Sequence, residues 1–289
     1  MSGFNGNPRG SGAPGQVKEV TSLANPVIKD IKSLSMKKFR DEQNAFLAEG
    51  LKLVIDALDL GWSIKTLVFA KTARGNPLVE KVAARAVAAG ALVLEVSEKV
   101  LTSVTRKDNP QAVIGVFGQR MTPLRDVRLS PSDVWVALDR VRDPGNLGTV
   151  IRTADAVGAK GVILVGDCVD PFAGETVRAT MGSIFAVPLV KTSAEAFGQW
   201  RKDFRGLLAG THLKGAVDYR SVDFAGKPVV LLMGNESHGL PEPLAAACDT
   251  LLRIPQAGRA DSLNLAVATG IMLYEVRRSA LTLDGGSAA

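Results

Sequence analysis

The chain has 289 residues, of which 46% are hydrophobic and 22% charged, a composition typical of folded globular proteins. No apolar run approaches the ~20 residues that a membrane helix needs, and the Gly-rich N-terminus lacks the pattern of a secretory signal. The net charge of +6 lies within residues 1–120, which carry 17 Lys and Arg against 11 Asp and Glu. This half either contacts a polyanion or presents a solvated basic surface.

Cysteine and histidine are scarce, with two of each in the chain. Cys168 and Cys248 lie far apart and have neither metal-binding nor redox spacing, so we expect two free thiols in a reducing cytoplasm. His212 and His238 are too few to complete a zinc site with them, so no metal is expected.

The first half of the chain predicts a small α/β domain over residues 17–118. Residues 1–16 are rich in Gly, Asn and Pro, which predicts a disordered tail. Asn25-Pro26 has the pattern of a helix N-cap followed by proline at the first helical position. Further helices are predicted at 51–60 and 78–89, and strands at 45–48, 64–70, 92–96 and 112–117.

The second half predicts a mostly parallel sheet covered by helices. Residues 119–132 contain two prolines and several charges and predict a linker, and residues 281–289 form a second tail. Between them, 133–280 form the second domain. Its predicted strands are 134–138, 161–165, 186–190, 206–209, 229–233 and 251–254, and its predicted helices are 148–157, 174–180, 193–202, 240–247 and 263–278.

Three polar clusters follow apolar runs in this half. They read DRVRDPGNLGTVIRTA at 139–154, GNESHGL at 234–240, and RIP at 253–255 with DSLNLAVA at 261–268. Polar residues behind a strand lie at its carboxyl end, where open α/β sheets bind ligands. None of the clusters contains GxGxxG, so a dinucleotide site is disfavoured.

In this order, over residues 134–278, the clusters resemble the three motifs of the SpoU (TrmH-type) RNA ribose methyltransferases. Residues 20–29 and 46–50 are similar to the L30e-like substrate-binding domain of many rRNA-modifying members. The resemblance implies an α/β fold with a C-terminal, trefoil-knotted methyltransferase domain of the SPOUT type and a smaller N-terminal L30e-like α/β domain. Knots are otherwise rare. It also implies a homodimer with its active site at the subunit interface.

The activity implied is transfer of a methyl group from S-adenosylmethionine to a ribose 2′-hydroxyl of RNA, with ribosomal RNA favoured over transfer RNA. Matching motif positions gives a catalytic set and a set that holds the cofactor mainly through backbone groups. The catalytic set is Asn146, Arg152, Glu236, Ser262 and Asn264, and the cofactor set is Thr211, Leu213, Gly234, Ile254 and Leu263.

The sequence also allows other roles for these residues and for the protein. Taken singly, Asn146, Glu236, Ser262 and Asn264 could be turn or helix-capping residues. Arg152 could act as a base, although arginine normally stays protonated, or bind a phosphate near the target ribose. The apolar residues of the last helix could belong to the core or to a dimer interface. A protein of this fold could also be a tRNA methyltransferase, or bind RNA without catalysis.

Overall fold

The computed structural model describes residues 15–105, 110–212 and 216–283. The chain divides after Gly118 into two compact units, each built around its own β-sheet. Among the described residues, no helix is long and apolar enough to cross a membrane.

The first unit is a five-stranded mixed sheet with helices. Its strand order is β1-β4-β3-β5-β2, in which β5 runs antiparallel to its neighbours. The core side chains include Ile28, Val68, Leu94 and Ile114. The elements are β1 (Val17–Val20), α1 (Pro26–Ser33), α2 (Lys37–Gln43), β2 (Ala45–Glu49), α3 (Leu51–Asp59), β3 (Ile64–Ala70), α4 (Pro77–Ala88), β4 (Leu92–Val96), α5 (Glu98–Thr105) and β5 (Val113–Gly118).

Helix α1 begins where the sequence predicts, because the Asn25 side chain accepts a hydrogen bond from Val27 N and Pro26 occupies the first turn. Strand β1 was not predicted, since three of its four residues are exposed and it lacks an apolar signature. Pairing with β4 holds it in place, and the hydrogen bonding extends to Gln16, whose carbonyl accepts from Val93 N.

The second unit contains a seven-stranded sheet in which every described pairing is parallel. The strand order is β10-β12-β9-β11-β6-β7-β8. The α/β fold class predicted from the sequence is confirmed. The elements are β6 (Val134–Asp139), α6 (Pro144–Ala156), β7 (Gly161–Val165), α7 (Gly174–Ala179), β8 (Leu189–Thr192), α8 (Ala194–Asp203), β9 (Leu207–Thr211), β10 (Val217–Asp218), β11 (Val229–Met233), α9 (Glu242–Ala246), β12 (Thr250–Arg253) and α10 (Leu265–Val276).

Three boundaries differ from the sequence predictions for local reasons. Helix α6 begins at Pro144 rather than residue 148, because Asp143 caps it by accepting from Asn146 N at 2.6 Å. Helix α10 begins at Leu265 because Asn264 is its cap. The strand predicted at 186–190 lies at Leu189–Thr192, after a 3-10 turn over Ser183–Phe185.

The segment 119–132 packs against the second unit. Thr122 N donates to Leu189 O at 2.7 Å, and Val127 is 4% exposed. Leu124 and Leu129 are partly buried against the same core, which contains Trp135 and Phe197. The segment is therefore bound along the second sheet over part of its length.

Parallel strands place their carboxyl ends along one edge of a sheet. In the second unit, β12, β9, β11 and β6 are consecutive neighbours, so the segments after Arg253, Thr211, Met233 and Asp139 leave from adjacent positions. The chain runs outward from β6 to β7 and β8, and later returns to the other side of β6. The strand order thus reverses between β6 and β11, and ligands bind to such sheets at the carboxyl ends of the strands on either side of this reversal.

Candidate active site

The ends of β6 and β11 are joined by Asn235. Its Nδ2 donates to the carbonyl of Arg140 at 2.9 Å, and its Oδ1 accepts from Ser237 N at 3.0 Å. The first contact fixes the loop after β11 to the turn after β6, and the second shapes the loop itself. Asn235 lies in the second polar cluster, but its bridging role was not predicted from the sequence.

A relay of hydrogen bonds connects all three polar clusters. Asn264 Nδ2 donates to Asn146 Oδ1 at 2.9 Å, and Asn146 Nδ2 donates to Glu236 Oε1 at 3.4 Å. These residues are 118 and 90 positions apart in sequence. The relay therefore joins three of the five residues predicted as catalytic.

The direction of this relay is set by a helix cap. Asn264 Oδ1 accepts from Ala266 N and Val267 N at the start of α10, so only its Nδ2 remains to face Asn146. Asn146 must then accept with Oδ1 and donate with Nδ2, which presents an N–H to the Glu236 carboxylate. Opposite ends of the Asn264 amide therefore cap α10 and contact Asn146, so the capping interpretation is compatible with the predicted role in the site.

A polar cavity of about 710 Å³ is lined by all three residues of the relay. It is lined by charged and amide side chains and the start of α10. The lining residues are Arg140, Arg142, Asp143, Asn146, Asn235, Glu236, Ser237, His238, Ser262, Leu263, Asn264 and Leu265.

A more apolar cavity of about 510 Å³ adjoins the polar one. Four of the five residues predicted to hold the cofactor line it: Thr211, Gly234, Ile254 and Leu263. The fifth, Leu213, lies outside the described residues. Met233, Leu252 and Met272 provide buried apolar surface. Seven residues, among them Glu236 and Ser262, line both cavities, so the two spaces adjoin along the segments 235–238 and 262–265.

Arg152 lies elsewhere. It is exposed on α6 and is absent from the linings of both cavities, although Asn146 on the same helix lines the polar one. Six residues of helix separate the two by about 240° of rotation, which turns their side chains to different faces. Within one chain, the structure does not bring Arg152 to the relay.

Gly234 is required by the loop that follows it. An added Cβ would lie 2.5 Å from Leu240 N and closer still to the carbonyl carbon of Gly239. A side chain at this position would therefore meet the backbone of its own loop.

Gly234→Ala is therefore expected to displace the loop 234–240 and weaken binding at the apolar cavity, even though alanine is small. Calorimetric titration with S-adenosylmethionine measures this, with circular dichroism to show that the sheet remains folded. Gly198→Ala is the matched control, since its added Cβ would meet nothing within 4 Å. Wild-type affinity in Gly234→Ala would contradict the role of this loop.

The two cysteines are free thiols, as predicted. Burial raises the pKa of Cys168 to about 11 and that of Cys248 to about 12, so both stay protonated at neutral pH and are poor nucleophiles. Among the described residues, no group of three or more His, Cys, Asp or Glu side chains is arranged to hold a metal.

The amino-acid sequence matches known families over both units. Residues 133–274 match the SpoU rRNA methylase family, and residues 25–115 match the MRM3-like substrate-binding domain. The chain is 32% identical over 261 residues to the 23S rRNA (guanosine(2553)-2′-O)-methyltransferase RlmP of Bacillus subtilis, covering 90% of this chain and 100% of the relative.

The chain belongs to the SpoU rRNA methylase family.

A second relative and a solved structure are also similar to this chain. The 23S rRNA (uridine(2479)-2′-O)-methyltransferase of Streptomyces viridochromogenes is 32% identical, covering 86% of this chain and 88% of the relative. The solved structure of an AdoMet-bound rRNA methyltransferase from Sinorhizobium meliloti is 62% identical with a TM-score of 0.88, covering 93% of this chain and 100% of that one. The resemblance predicted from the three motifs is confirmed.

Proposed function

We propose that this protein transfers a methyl group from S-adenosylmethionine to a ribose 2′-hydroxyl of ribosomal RNA. The observation that carries the proposal is that an apolar and a polar cavity share a wall that includes Glu236 and Ser262. A methyl donor and a ribose acceptor bound on the two sides would face each other there. The names of the SpoU relatives that modify 23S rRNA favour ribosomal over transfer RNA.

The apolar cavity suits the proposed cofactor. Its volume of about 510 Å³ is within the range of small-molecule sites, and its apolar walls with strand-end backbone groups suit an adenine ring. Thr211, Gly234, Ile254 and Leu263 would hold it. When bound, S-adenosylmethionine supplies a methyl group on a positively charged sulfur. The Glu236 carboxylate at the cavity boundary would stabilise that charge.

The relay supplies the positioning that a ribose hydroxyl needs. This hydroxyl is a weak nucleophile, so the protein must hold it in line with the methyl group and accept its proton. Asn146, fixed by Asn264, directs an N–H towards Glu236 and so holds that carboxylate in place. Ser262 lies at the same boundary and would hydrogen-bond the ribose.

The protein is proposed to act as a homodimer in which Arg152 reaches the partner's site. In support, Arg152 is exposed and away from its own polar cavity. Val267 and Tyr274 on α10 are 52% and 54% exposed, and α10 packs against α6. Four other apolar residues of α10 belong to the core, because Leu265, Met272, Leu273 and Val276 are buried within the chain. Because an arginine normally stays protonated, phosphate binding by Arg152 is favoured over action as a base.

The trefoil knot is also proposed rather than observed directly. Its support is the path of the last segment: β12 pairs with β9 on the far side of β11, yet α10 then returns to contact both β11 and α6. Such a return places residues 254–264 against the loops after β9 and β11, which the shared lining of the apolar cavity reflects.

The first unit is proposed to bind RNA, and its α1 helix offers a test. Lys29 is exposed and Lys32 partly so, whereas Lys37 and Lys38 form ion pairs with Asp41 and Glu42. Replacing Lys29 and Lys32 with glutamine is expected to lower the salt dependence of RNA binding by about 0.7 in logarithmic slope for each lost contact.

The matched control replaces Lys37 and Lys38, whose charges are already compensated. Filter binding of a 23S rRNA transcript across salt concentrations measures both slopes. Equal slopes in the Lys29/Lys32 variant and the wild type would remove α1 from the RNA surface.

Loss of the protein from its host tests the function itself. Mapping 2′-O-methyl positions in RNA from cells with and without it is expected to show one or more positions lost from ribosomal RNA. Loss from transfer RNA instead would support the tRNA alternative, and no loss in either would support a silent RNA-binding protein. Activity on ribosomal RNA, together with free thiols, also supports a cytoplasmic location.

A further inference from the structure

Arg140 has an unusual backbone. Its φ is +47°, a left-handed conformation that is unfavourable for residues with a Cβ. Its N–H donates to Val165 O at 2.9 Å, and its carbonyl accepts from Asn235 Nδ2 at 2.9 Å. The residue is held on both sides in a conformation that arginine does not favour, which suggests that its side chain is needed there.

The side chain is also fixed. Arg140 Nε and Nη2 donate to the carboxylate of Asp139, at 3.0 and 2.8 Å to Oδ2, and this pairing raises the pKa of the guanidinium. The Asp139 side chain is 2% exposed and that of Arg140 is 40% exposed. Gly166 makes room for the arginine stem, since an added Cβ would lie 3.1 Å from Arg140 Cγ.

This arrangement leaves one edge of the guanidinium available. An arginine has five N–H donors, and the hydrogen bonds described for Arg140 use Nε and Nη2 towards Asp139, so the remaining donors include both on Nη1. Arg140 lines the polar cavity with Asn146 and Glu236. A planar, fixed guanidinium with free N–H groups matches the geometry of a phosphate.

We propose that Arg140 binds a backbone phosphate of the RNA strand whose ribose enters the polar cavity, with Asp139 holding the guanidinium in place. This rests on the proposed function, since it assigns the acceptor strand to that cavity. Arg140 would thus be a substrate-positioning residue on the same chain as Asn146. The competing interpretation is that Arg140 only neutralises the buried Asp139.

Arg140→Asn tests the proposal, because asparagine tolerates a left-handed backbone and its amide can still donate to Asp139. The KM for a 23S rRNA transcript is expected to rise roughly 10- to 100-fold with little change in S-adenosylmethionine affinity. The salt slope of transcript binding should fall by about 0.7. Arg140→Lys keeps a countercharge for Asp139 and should recover part of the affinity.

Arg220→Asn is the matched control, since Arg220 also donates Nε and Nη2 to a nearby carboxylate, that of Asp218, and does not line either cavity. Unchanged RNA affinity and slope in Arg140→Asn, or a lower melting temperature as the only effect, would overturn the proposal. Weakened S-adenosylmethionine binding would also overturn it, by assigning Arg140 to the cofactor carboxylate.

Failure of the proposed function can be told apart from failure of the Arg140 proposal. If the wild-type protein methylates no 23S rRNA, the function fails, while the salt slopes of wild type and Arg140→Asn still decide whether Arg140 contacts a phosphate.

Discussion

Arg152→Ala protein is expected to lose methyl transfer by roughly 10³-fold while binding S-adenosylmethionine as wild type does. The side chain is exposed on α6 and lines neither cavity of its own chain, so its removal leaves the cofactor space intact. What is lost is positioning in the transition state. Single-turnover methylation of a 23S rRNA transcript, paired with calorimetry, separates the two effects.

Two further experiments test the chemical role of Arg152 and the subunit on which it acts. Arg152→Lys should also be impaired, since a point charge does not reproduce a planar fork. Mixing Arg152→Ala with Gly234→Ala protein should restore part of the activity in heterodimers, because one site then receives an intact arginine and an intact loop from different chains. Full activity in Arg152→Ala would contradict its catalytic role. No complementation in verified heterodimers would contradict only the shared site.

Asn264→Asp is expected to reduce methyl transfer by roughly 10²-fold without loss of stability. A carboxylate caps a helix as well as an amide does, so the start of α10 is preserved. It has no N–H to donate, so Asn146 must turn its own N–H towards the new carboxylate. Asn146 Oδ1 would then face Glu236, and the two acceptors would repel each other.

The control for this change is Asn76→Asp. Asn76 caps α4 in the same way, accepting from Leu78 N and Val79 N, but lies in the first unit. Melting temperature and methylation rate, measured on both variants, should show similar stability and a defect in Asn264→Asp alone. Equal activity in the two variants would mean that the direction of the relay is irrelevant to catalysis.

Much of the fold was predictable because the strands of the second unit are continuous apolar runs. β7 and β11 occupy the predicted residues, and the polar clusters follow the carboxyl ends of their strands. Parallel pairing then brings those ends to one edge. The sequence could not give the strand order, so it could not show that Asn264 and Glu236 meet through Asn146.

The positions of Arg140 and Arg152 could not be predicted from the sequence. Arg140 was missed because its importance comes from a left-handed φ and a side chain folded back onto Asp139, neither of which a residue pattern reveals. The motif placed Arg152 with Asn146, yet helical rotation turns it away from the polar cavity. The proposed catalytic role of Arg152 would therefore require a second subunit, which a single-chain pattern does not describe.

Position-specific analysis of the methylated product tests the central claim most directly. Purified protein is incubated with methyl-labelled S-adenosylmethionine and an unmodified 23S rRNA transcript, and the RNA is hydrolysed with alkali. A 2′-O-methyl group blocks cleavage at its own nucleotide, so the label is expected in an alkali-resistant dinucleotide. The rate at which this dinucleotide forms should fall roughly 10²-fold with Asn264→Asp. Label in mononucleotides, which would indicate base methylation, or no incorporation at all, would contradict the account.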